Sequence, residues 1–379
     1  MGDVVVSAAA VVVEPDPVVV VDAAVVDVDV VSDFALLELP HAASETLTTA
    51  TRMRARRMGR AYERVRPRKW NHPGMTRPTL TVGLANYGSL YPPGEWHRFV
   101  DLARAVDDAG VDRLVVVDHV VMGPHTENYV WGTFPVPPEA PWFEPLIVLA
   151  AIASATQRVR LATGILIAPL RPAVLLAKQA ATLDVFSRGR LDLGVGTGWQ
   201  REEYDAEGID FSRRGALLSD TLAACKVLWR DTPAAITTST LSFADVYCEP
   251  KPLQPGGVPL WIAGTLHGPN LRRMVEWGDA WIPIMGASLD DITDGARRIG
   301  DAWREAGRDP AALQVQAPLR VERGEDGAPD LARSIESVPE LVAAGATDVH
   351  VTLRAFNRDP ADAPAVIAEI VRRFADAVT

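Results

Sequence analysis

The chain has 379 residues, and 48% of them are hydrophobic, so it can bury a large core as one α/β barrel with an appendage or as two domains. Its net charge of −11 disfavours nucleic acid and anionic membranes as partners, because either would demand a basic face. The two cysteines, Cys225 and Cys248, form no C-x-x-C or Cys/His pattern, which argues for a reducing, cytoplasmic compartment and against a structural metal site. We therefore expect a small-molecule partner.

The first 74 residues differ in composition from the rest. Residues 4–31 consist mostly of Val, Ala and Asp, and their apolar runs are too short and too often interrupted by acids for a membrane helix or a signal peptide. A basic block from Arg52 to Lys69 follows, and we interpret it as a solvated tail. Residues 1–74 are then either a low-complexity, disordered extension or the product of a misassigned translation start. The globular domain is predicted to span 75–379.

From Met75 onward, helices that end at glycine alternate with apolar strands. Gly110, Gly189, Gly278 and Gly345 each stand just before such a strand, and glycine suits the left-handed position that ends a helix. The predicted strands are Thr81–Asn86, Leu114–His119, Val159–Ile167, Leu191–Val195, Leu260–Gly264, Ala280–Ile284, Val315–Val321 and Val349–Leu353. Eight strands alternating with helices over about 300 residues fit a (β/α)8 TIM barrel better than a doubly wound sheet.

Two connections are too long to be simple turns. They are Met122–Pro145, between strands 2 and 3, and Asp231–Val258, between strands 4 and 5, and such loops usually shape a substrate site. The first loop is rich in rings: His125, Tyr129, Trp131, Phe134, Trp142 and Phe143. It either covers an apolar substrate or forms a folded lid that never touches one.

The barrel hypothesis places functional residues at the carboxyl ends of the strands. The candidates there are Asn86, Asp118, His119, Thr163, Gly164, Ile165, Gly196, Thr197, Gly198, Gly264 and Thr265. Most are small or polar, so they could line a flat aromatic cofactor, and the bare N–H groups of the glycine-rich elbow at 194–198 could hold its phosphate. His350, which alternates with valines, is interpreted as structural. No acid pair, Ser-His-Asp order or metal-ligand spacing occurs among the candidates.

Several segments in combination point to one family. They are VVDHV at strand 2, LATGILIAPLRPAVLLAKQAATLDVFSRGRLDLGVGTGW through strands 3 and 4, FSRRG at 211–215, and PKPLQ, PLWIAGT and GDAWIP further on. Together they resemble the luciferase-like flavin- and deazaflavin-dependent oxidoreductases, especially the branch that uses coenzyme F420. The resemblance is strong over Thr79–Pro283 and weak from there to Thr379. It implies a (β/α)8 barrel and a homodimer.

The resemblance also implies roles for the candidate residues. Asp118 would hydrogen-bond the pyrimidine edge of the cofactor ring, and His119 would face the substrate as a proton donor or acceptor. The bond between Gly164 and Ile165 would be a non-proline cis peptide that backs the ring. The elbow 196–198 would receive the phosphate.

Gly264 and Thr265 would complete that phosphate site, and Arg213 or Arg214 could reach the acidic tail of F420. Three functions stay open. The first is an F420-dependent oxidoreductase that transfers a hydride to or from an organic substrate. The second is a two-component monooxygenase that uses O2 and FMN reduced by a separate reductase. The third is a non-catalytic barrel that binds a flavin-like cofactor.

Overall fold

A computed structural model describes residues 77–379, and the interpretation of residues 1–74 therefore lies outside the described residues. The strands are β1 (Thr79–Gly83), β2 (Arg113–Val116), β3 (Arg160–Thr163), β4 (Leu166–Ile167), β5 (Leu191–Gly196), β6 (Ala234–Thr237), β7 (Ser242–Val246), β8 (Leu260–Ala263), β9 (Ala280–Ile282), β10 (Gln314–Pro318) and β11 (Asp348–Thr352). Parallel pairing runs in the order β3, β2, β1, β11, β10, β9, β8, β5, and β3 pairs with β5. The sheet is thus closed, and the predicted (β/α)8 TIM barrel is confirmed.

Helices follow most barrel strands. They are α1 (Phe99–Asp108), α2 (Pro145–Ala155), α3 (Ala173–Phe186), α4 (Arg201–Ala206), α5 (Arg214–Arg230), α6 (Gly268–Glu276), α7 (Leu289–Glu305), α8 (Leu331–Ile335), α9 (Val338–Ala343), α10 (Leu353–Phe356) and α11 (Ala363–Ala377). The apolar stripe of α1, including Phe99, Leu102 and Val106, is buried at helical spacing. A reciprocal capping box between Ser288 and Asp291 begins α7.

All eight predicted barrel strands are present, with two local differences. The segment predicted as one strand, Val159–Ile167, is divided into β3 and β4 around Gly164 and Ile165, whose peptide bond is cis as the resemblance implied. The segment Asp231–Val258, predicted only as a long connection, contains the antiparallel hairpin of β6 and β7. Neither strand of this hairpin joins the barrel.

A network of buried ionic groups fills the barrel near the amino-terminal ends of its strands. The Asp192 carboxylate accepts hydrogen bonds from Arg113 at 2.8 Å and from Arg160 at 2.7 Å. Arg113 also pairs with Asp348, which accepts further bonds from Thr79, Thr81 and Gln316. Burial would raise the pKa of Asp192, but the attraction of Arg160 and Arg113 outweighs it and holds that pKa below its ordinary value. The buried charges at this end of the barrel are therefore neutralised by one another within the protein.

Candidate active site

A cavity of about 570 Å³ opens at the carboxyl ends of the barrel strands. Of the predicted residues, Asp118, His119, Gly164, Ile165, Gly196, Thr197, Gly198, Gly264 and Thr265 line it. Asn86 and Thr163 lie behind its wall. The Asn86 amide donates to the carbonyls of Val117 and Phe143 at 2.8 and 2.7 Å, and the Thr163 hydroxyl donates to the Gly194 carbonyl at 2.7 Å. The structure thus gathers most of the predicted residues around one cavity. Of the other two, Asn86 holds the segments that carry Val117 and Phe143, and Thr163 links β3 to β5.

His119 is paired with a carboxylate that the sequence analysis did not identify. Its Nδ1 lies 3.0 Å from Oε2 of Glu203, and the other carboxylate oxygen accepts the Val120 N–H at 2.8 Å. Glu203 is fully buried. A carboxylate can only accept, so the proton of this bond resides on Nδ1 and the lone pair of a neutral ring is on Nε2. The pair therefore fixes the tautomer of an imidazole on the wall of the cavity.

The short helix α4 holds three parts of the site together. Besides Glu203, it carries Tyr204, whose hydroxyl donates to the Thr197 carbonyl at 2.5 Å and so fixes the elbow. Gln200, immediately before α4, accepts the Gly123 N–H at 2.9 Å and thereby anchors the loop that follows His119. An acid three residues after Gln200, on the segment that follows the elbow, was the available sequence signal for this arrangement.

Asp118 has its carboxylate occupied by protein groups. Arg171 donates to both of its oxygens at 2.6 and 3.0 Å, and the Ile167 N–H adds a third bond at 2.8 Å. The side chain is fully buried in this arrangement. Asp118 therefore ties the end of β2 to β4, and its contact with a cofactor ring stays a prediction.

The glycine-rich end of the cavity carries a buried cation without an acidic partner. Arg273 of α6 is 5% exposed, and its guanidinium donates to the Ser219 hydroxyl at 2.9 Å, the Gly215 carbonyl at 2.6 Å and the Asn270 amide oxygen at 3.3 Å. It forms no ion pair within 77–379. Burial, followed by repulsion from Arg272, lowers its pKa. An uncompensated buried charge is costly, so this end is suited to an anion.

The backbone at this end can approach a ligand closely. Gly198 and Gly264 have φ of +63° and +105°, which side-chain-bearing residues rarely adopt. A Cβ on Gly196 would lie 3.1 Å from Cδ1 of Ile165. Asn270 holds the loop by donating to the carbonyls of Ala263 and Thr265 at 3.1 and 3.0 Å. Bare N–H groups and the start of α6 are the usual elements of a phosphate site.

The two arginines considered for an acidic cofactor tail differ in position. Arg214 lines the cavity, and its guanidinium lies 3.9 Å from the centre of the Phe211 ring. Arg213 is exposed and does not line the cavity. A contact with such a tail stays a prediction for both.

Another part of the cavity wall is aromatic. Trp142 stacks on Tyr87 with ring centres 4.3 Å apart and meets His119 edge-on at 4.6 Å. Phe134 and Trp199 complete the enclosure, with ring centres 5.5 Å apart. From the loop Met122–Pro145, Tyr129, Trp131, Phe134 and Trp142 line the cavity, whereas Phe143 packs on Trp96 and His125 pairs with Glu127 in solvent. The loop thus covers His119 with uncharged rings.

In 77–379, no three or more His, Cys, Asp or Glu side chains are grouped so that they could hold a metal ion. None of the helices in that range is long and apolar enough to cross a membrane.

Fold, cavity and sequence agree on the class of protein. Residues 79–370 match the luciferase-like monooxygenase family, and the chain belongs to that family. It is an oxidoreductase-type barrel with its candidate site at the carboxyl ends of the strands.

Individual relatives are more distant. The chain is 32% identical to an uncharacterised protein of Mycobacterium tuberculosis over 166 residues, 44% of this chain and 58% of the relative. It is 28% identical to the phthiodiolone/phenolphthiodiolone dimycocerosates ketoreductase of Mycobacterium kansasii over 200 residues, 52% of this chain and 53% of the relative. The matches thus span little more than half the length of these curated relatives.

Solved structures support the fold. An F420-dependent secondary alcohol dehydrogenase in complex with an F420-acetone adduct aligns with a TM-score of 0.63 at 16% identity, covering 79% of this chain and 99% of that one. The oxygenating constituent of 3,6-diketocamphane monooxygenase from Pseudomonas putida, in complex with FMN, aligns with a TM-score of 0.59 at 14% identity, covering 80% and 99%. The same barrel therefore serves deazaflavin and flavin enzymes.

Proposed function

We propose that the protein is an F420-dependent oxidoreductase that transfers a hydride between the deazaflavin and an uncharged organic substrate. The observation that carries this proposal is the pairing of His119 with Glu203 in a cavity that is also lined by the uncompensated cation Arg273. A proton-transfer group and an anion site on the wall of one cavity suit a phosphate-bearing redox cofactor and a second reactant.

The residues present fit such a cofactor. Arg273 lacks a negative partner within the described chain, and the cavity is lined by Gly196 and Gly198, where a Cβ would press on Ile165 and Ile167. Arg273 and the N–H groups of these segments would hold the phosphate. The cis peptide at Gly164 and Ile165 lies on the cavity wall, where it would contact the ring.

The chain's own residues would handle the proton. A bound deazaflavin supplies or accepts the hydride. In its doubly protonated form His119 would donate a proton from Nε2 to the carbonyl oxygen of a substrate whose carbon receives the hydride, and in the reverse direction the neutral ring would accept that proton at Nε2. Glu203 keeps the ring oriented and stabilises its charged form. The rings of the loop Met122–Pro145 exclude water, which strengthens these polar interactions.

The composition of the aromatic end supports an uncharged substrate. The rings of the loop surround His119 there, and Trp142, Phe134 and Trp199 offer wide apolar surfaces. The named activities of two related proteins, a ketoreductase and a secondary alcohol dehydrogenase, make a ketone or alcohol the first substrate class to test.

An FMN-dependent two-component monooxygenase is the second candidate, because a structural neighbour with FMN has the same fold. Anaerobic mixing of reduced F420 with a ketone panel, and oxygen uptake with reduced FMN, separate the two. We expect F420 oxidation without oxygen uptake, and loss of turnover in His119→Ala. Oxygen uptake that depends on substrate and reduced FMN would favour the second candidate. Binding without either reaction would favour a non-catalytic barrel.

We also propose that the protein is a homodimer, and that a separate reductase would be needed only by an FMN enzyme. Exposed apolar side chains on α2 and α3 support self-association: Ile147 is 69% exposed, Leu175 51% and Val174 49%. Sedimentation equilibrium of the full chain, compared with Ile147→Asp, tests this proposal. A monomeric wild-type protein at micromolar concentration would contradict it.

A further inference from the structure

The loop Met122–Pro145 is fastened to the barrel near both of its ends. Near its start, the Gly123 N–H donates to the side-chain oxygen of Gln200 at 2.9 Å. Near its end, the Phe143 N–H donates to the Asn86 carbonyl at 3.0 Å. Because both ends are held by hydrogen bonds, the position of the middle of the loop depends on contacts of its own.

One hydrogen bond joins the middle of this loop, residues 124–140, to another part of the described chain. The Tyr129 hydroxyl donates to Sδ of Met285, on the segment after β9, at 3.4 Å. The other hydrogen bonds of residues 124–140 stay within that stretch. Ring contacts, such as that of Tyr129 with Trp199 at 5.4 Å, are less directional. Since Tyr129 and Met285 both line the cavity, their bond is a latch that fixes the middle of the loop over it.

The acceptor atom of the latch is a thioether that oxidants can reach. Met285 is 58% exposed although it also lines the cavity, so it lies at the cavity mouth, whereas Met274 is fully buried. A thioether sulfur is a weak hydrogen-bond acceptor, and oxidation converts it into a polar sulfoxide whose oxygen accepts strongly. Burial raises the pKa of Tyr129, so its hydroxyl stays protonated and remains a donor.

We propose that Met285 is a modification site, at which oxidation by a hydroperoxide tightens the latch and keeps the loop closed over the cavity. The O–O bond of the peroxide breaks and an S–O bond forms at Sδ. The sulfur is oxidised by two electrons, and the departing oxygen takes the proton and leaves as water or an alcohol. The Tyr129 hydroxyl then donates to the new oxygen, and this stronger bond lowers the population of the open loop. The inference goes beyond the proposed function, because it applies to any ligand that enters the cavity.

Hydrogen exchange of the loop amides in the full chain, without any ligand, tests the proposal. The wild type is treated with hydrogen peroxide, and peptide mass spectrometry locates the added oxygen atoms. We expect Met285 to be oxidised about tenfold faster than Met274, because reactivity follows exposure. The amides of residues 124–140 should then exchange about fivefold more slowly than before oxidation, because the loop opens less often. Oxidation of Met274 as fast as that of Met285, or equal exchange before and after oxidation of Met285, would overturn the proposal.

Three variants separate the latch from a general effect of the oxidant. Met285→Gln places a carbonyl acceptor on an unbranched side chain and should slow exchange of residues 124–140 about fivefold without peroxide. Tyr129→Phe removes the donor, so its loop amides should exchange alike before and after Met285 is oxidised. Met122→Leu, which removes the half-buried methionine of the same loop, is the matched control and should respond to peroxide like the wild type. Slowing that persists in Tyr129→Phe, or that is lost in Met122→Leu, would contradict the latch.

Discussion

Two buried arginines in this barrel have opposite electrostatic surroundings. Arg113 touches Asp192 and Asp348, and the attraction of these carboxylates holds its pKa above the ordinary value although burial acts to lower it. Arg273, beside the cavity, is bonded only to neutral oxygens, and burial lowers its pKa. A buried charge that the protein neutralises belongs to the fold, whereas one left without a counter-charge is available to an anionic ligand.

The largest expected effect is a loss of stability when the buried ion-pair network around Asp192 is broken. Asp192→Asn leaves Arg113 and Arg160 without their shared carboxylate, and we expect the free energy of unfolding to fall by about 3–5 kcal/mol. Urea unfolding followed by tryptophan fluorescence measures it. Asp301→Asn, in an exposed group of ion pairs on α7, is the matched control and should cost less than about 1 kcal/mol. Equal losses of unfolding free energy in Asp192→Asn and Asp301→Asn would contradict a stabilising role for the buried network.

Removing the uncompensated charge should affect binding rather than stability. Arg273→Met should weaken FMN or F420 binding about 100-fold while leaving the phosphate-free parent ring bound as before, because a charge-assisted bond to phosphate is lost. The free energy of unfolding of Arg273→Met in urea should change little. Arg272→Met, at the exposed neighbouring position, should bind both ligands like the wild type. A similar loss for phosphorylated and phosphate-free ligands would show that Arg273 is structural.

The His119–Glu203 pair gives a smaller, purely kinetic effect. Glu203→Gln keeps the size of the side chain but removes the charge that stabilises the charged imidazole, so we expect kcat to fall about 10- to 100-fold with little change in cofactor affinity. Steady-state kinetics and a binding titration measure the two quantities separately. Asp205→Asn on the exposed side of α4 is the control. An unchanged kcat would remove Glu203 from the mechanism.

The smallest effect concerns the pH dependence of stability. The pKa of His350 is lowered in the folded protein, whereas in the unfolded chain it is about 6.5. The unfolded state therefore binds more protons just below pH 6.5, and the free energy of unfolding falls as the pH decreases through that range. Between pH 7.5 and 5.5 the free energy of unfolding of the wild type should fall by about 1 kcal/mol more than that of His350→Phe. Parallel losses in urea unfolding would contradict this assignment.

The sequence predicted the parts of the site that depend on local pattern and on the geometry of barrels. Strand spacing and helix-ending glycines were enough to predict the barrel. Because functional residues of such barrels lie at the carboxyl ends of the strands, His119 and the elbow glycines could then be predicted to line the cavity. The ionic partnerships were missed because they join distant segments: Glu203 is 84 residues from His119, and Arg171 is 53 residues from Asp118.

Two other features required the three-dimensional arrangement. Arg273 lies in an amphipathic helix whose sequence does not mark it as special. Only its burial beside the cavity distinguishes it from Arg272. His350 was interpreted as structural from its alternation with valines, and that alternation does not reveal that Gly83 on the neighbouring strand makes room for its ring.

Titration of the full chain with F420 and FMN, each beside its phosphate-free parent, shows whether the cavity binds a phosphate-bearing cofactor through Arg273. We expect F420 to bind more tightly than FMN, and each phosphorylated ligand to bind more tightly than its parent in the wild type but not in Arg273→Met. Binding of the parents as tight as that of the phosphorylated cofactors, or no binding of any of the four, would contradict a phosphate site at Arg273.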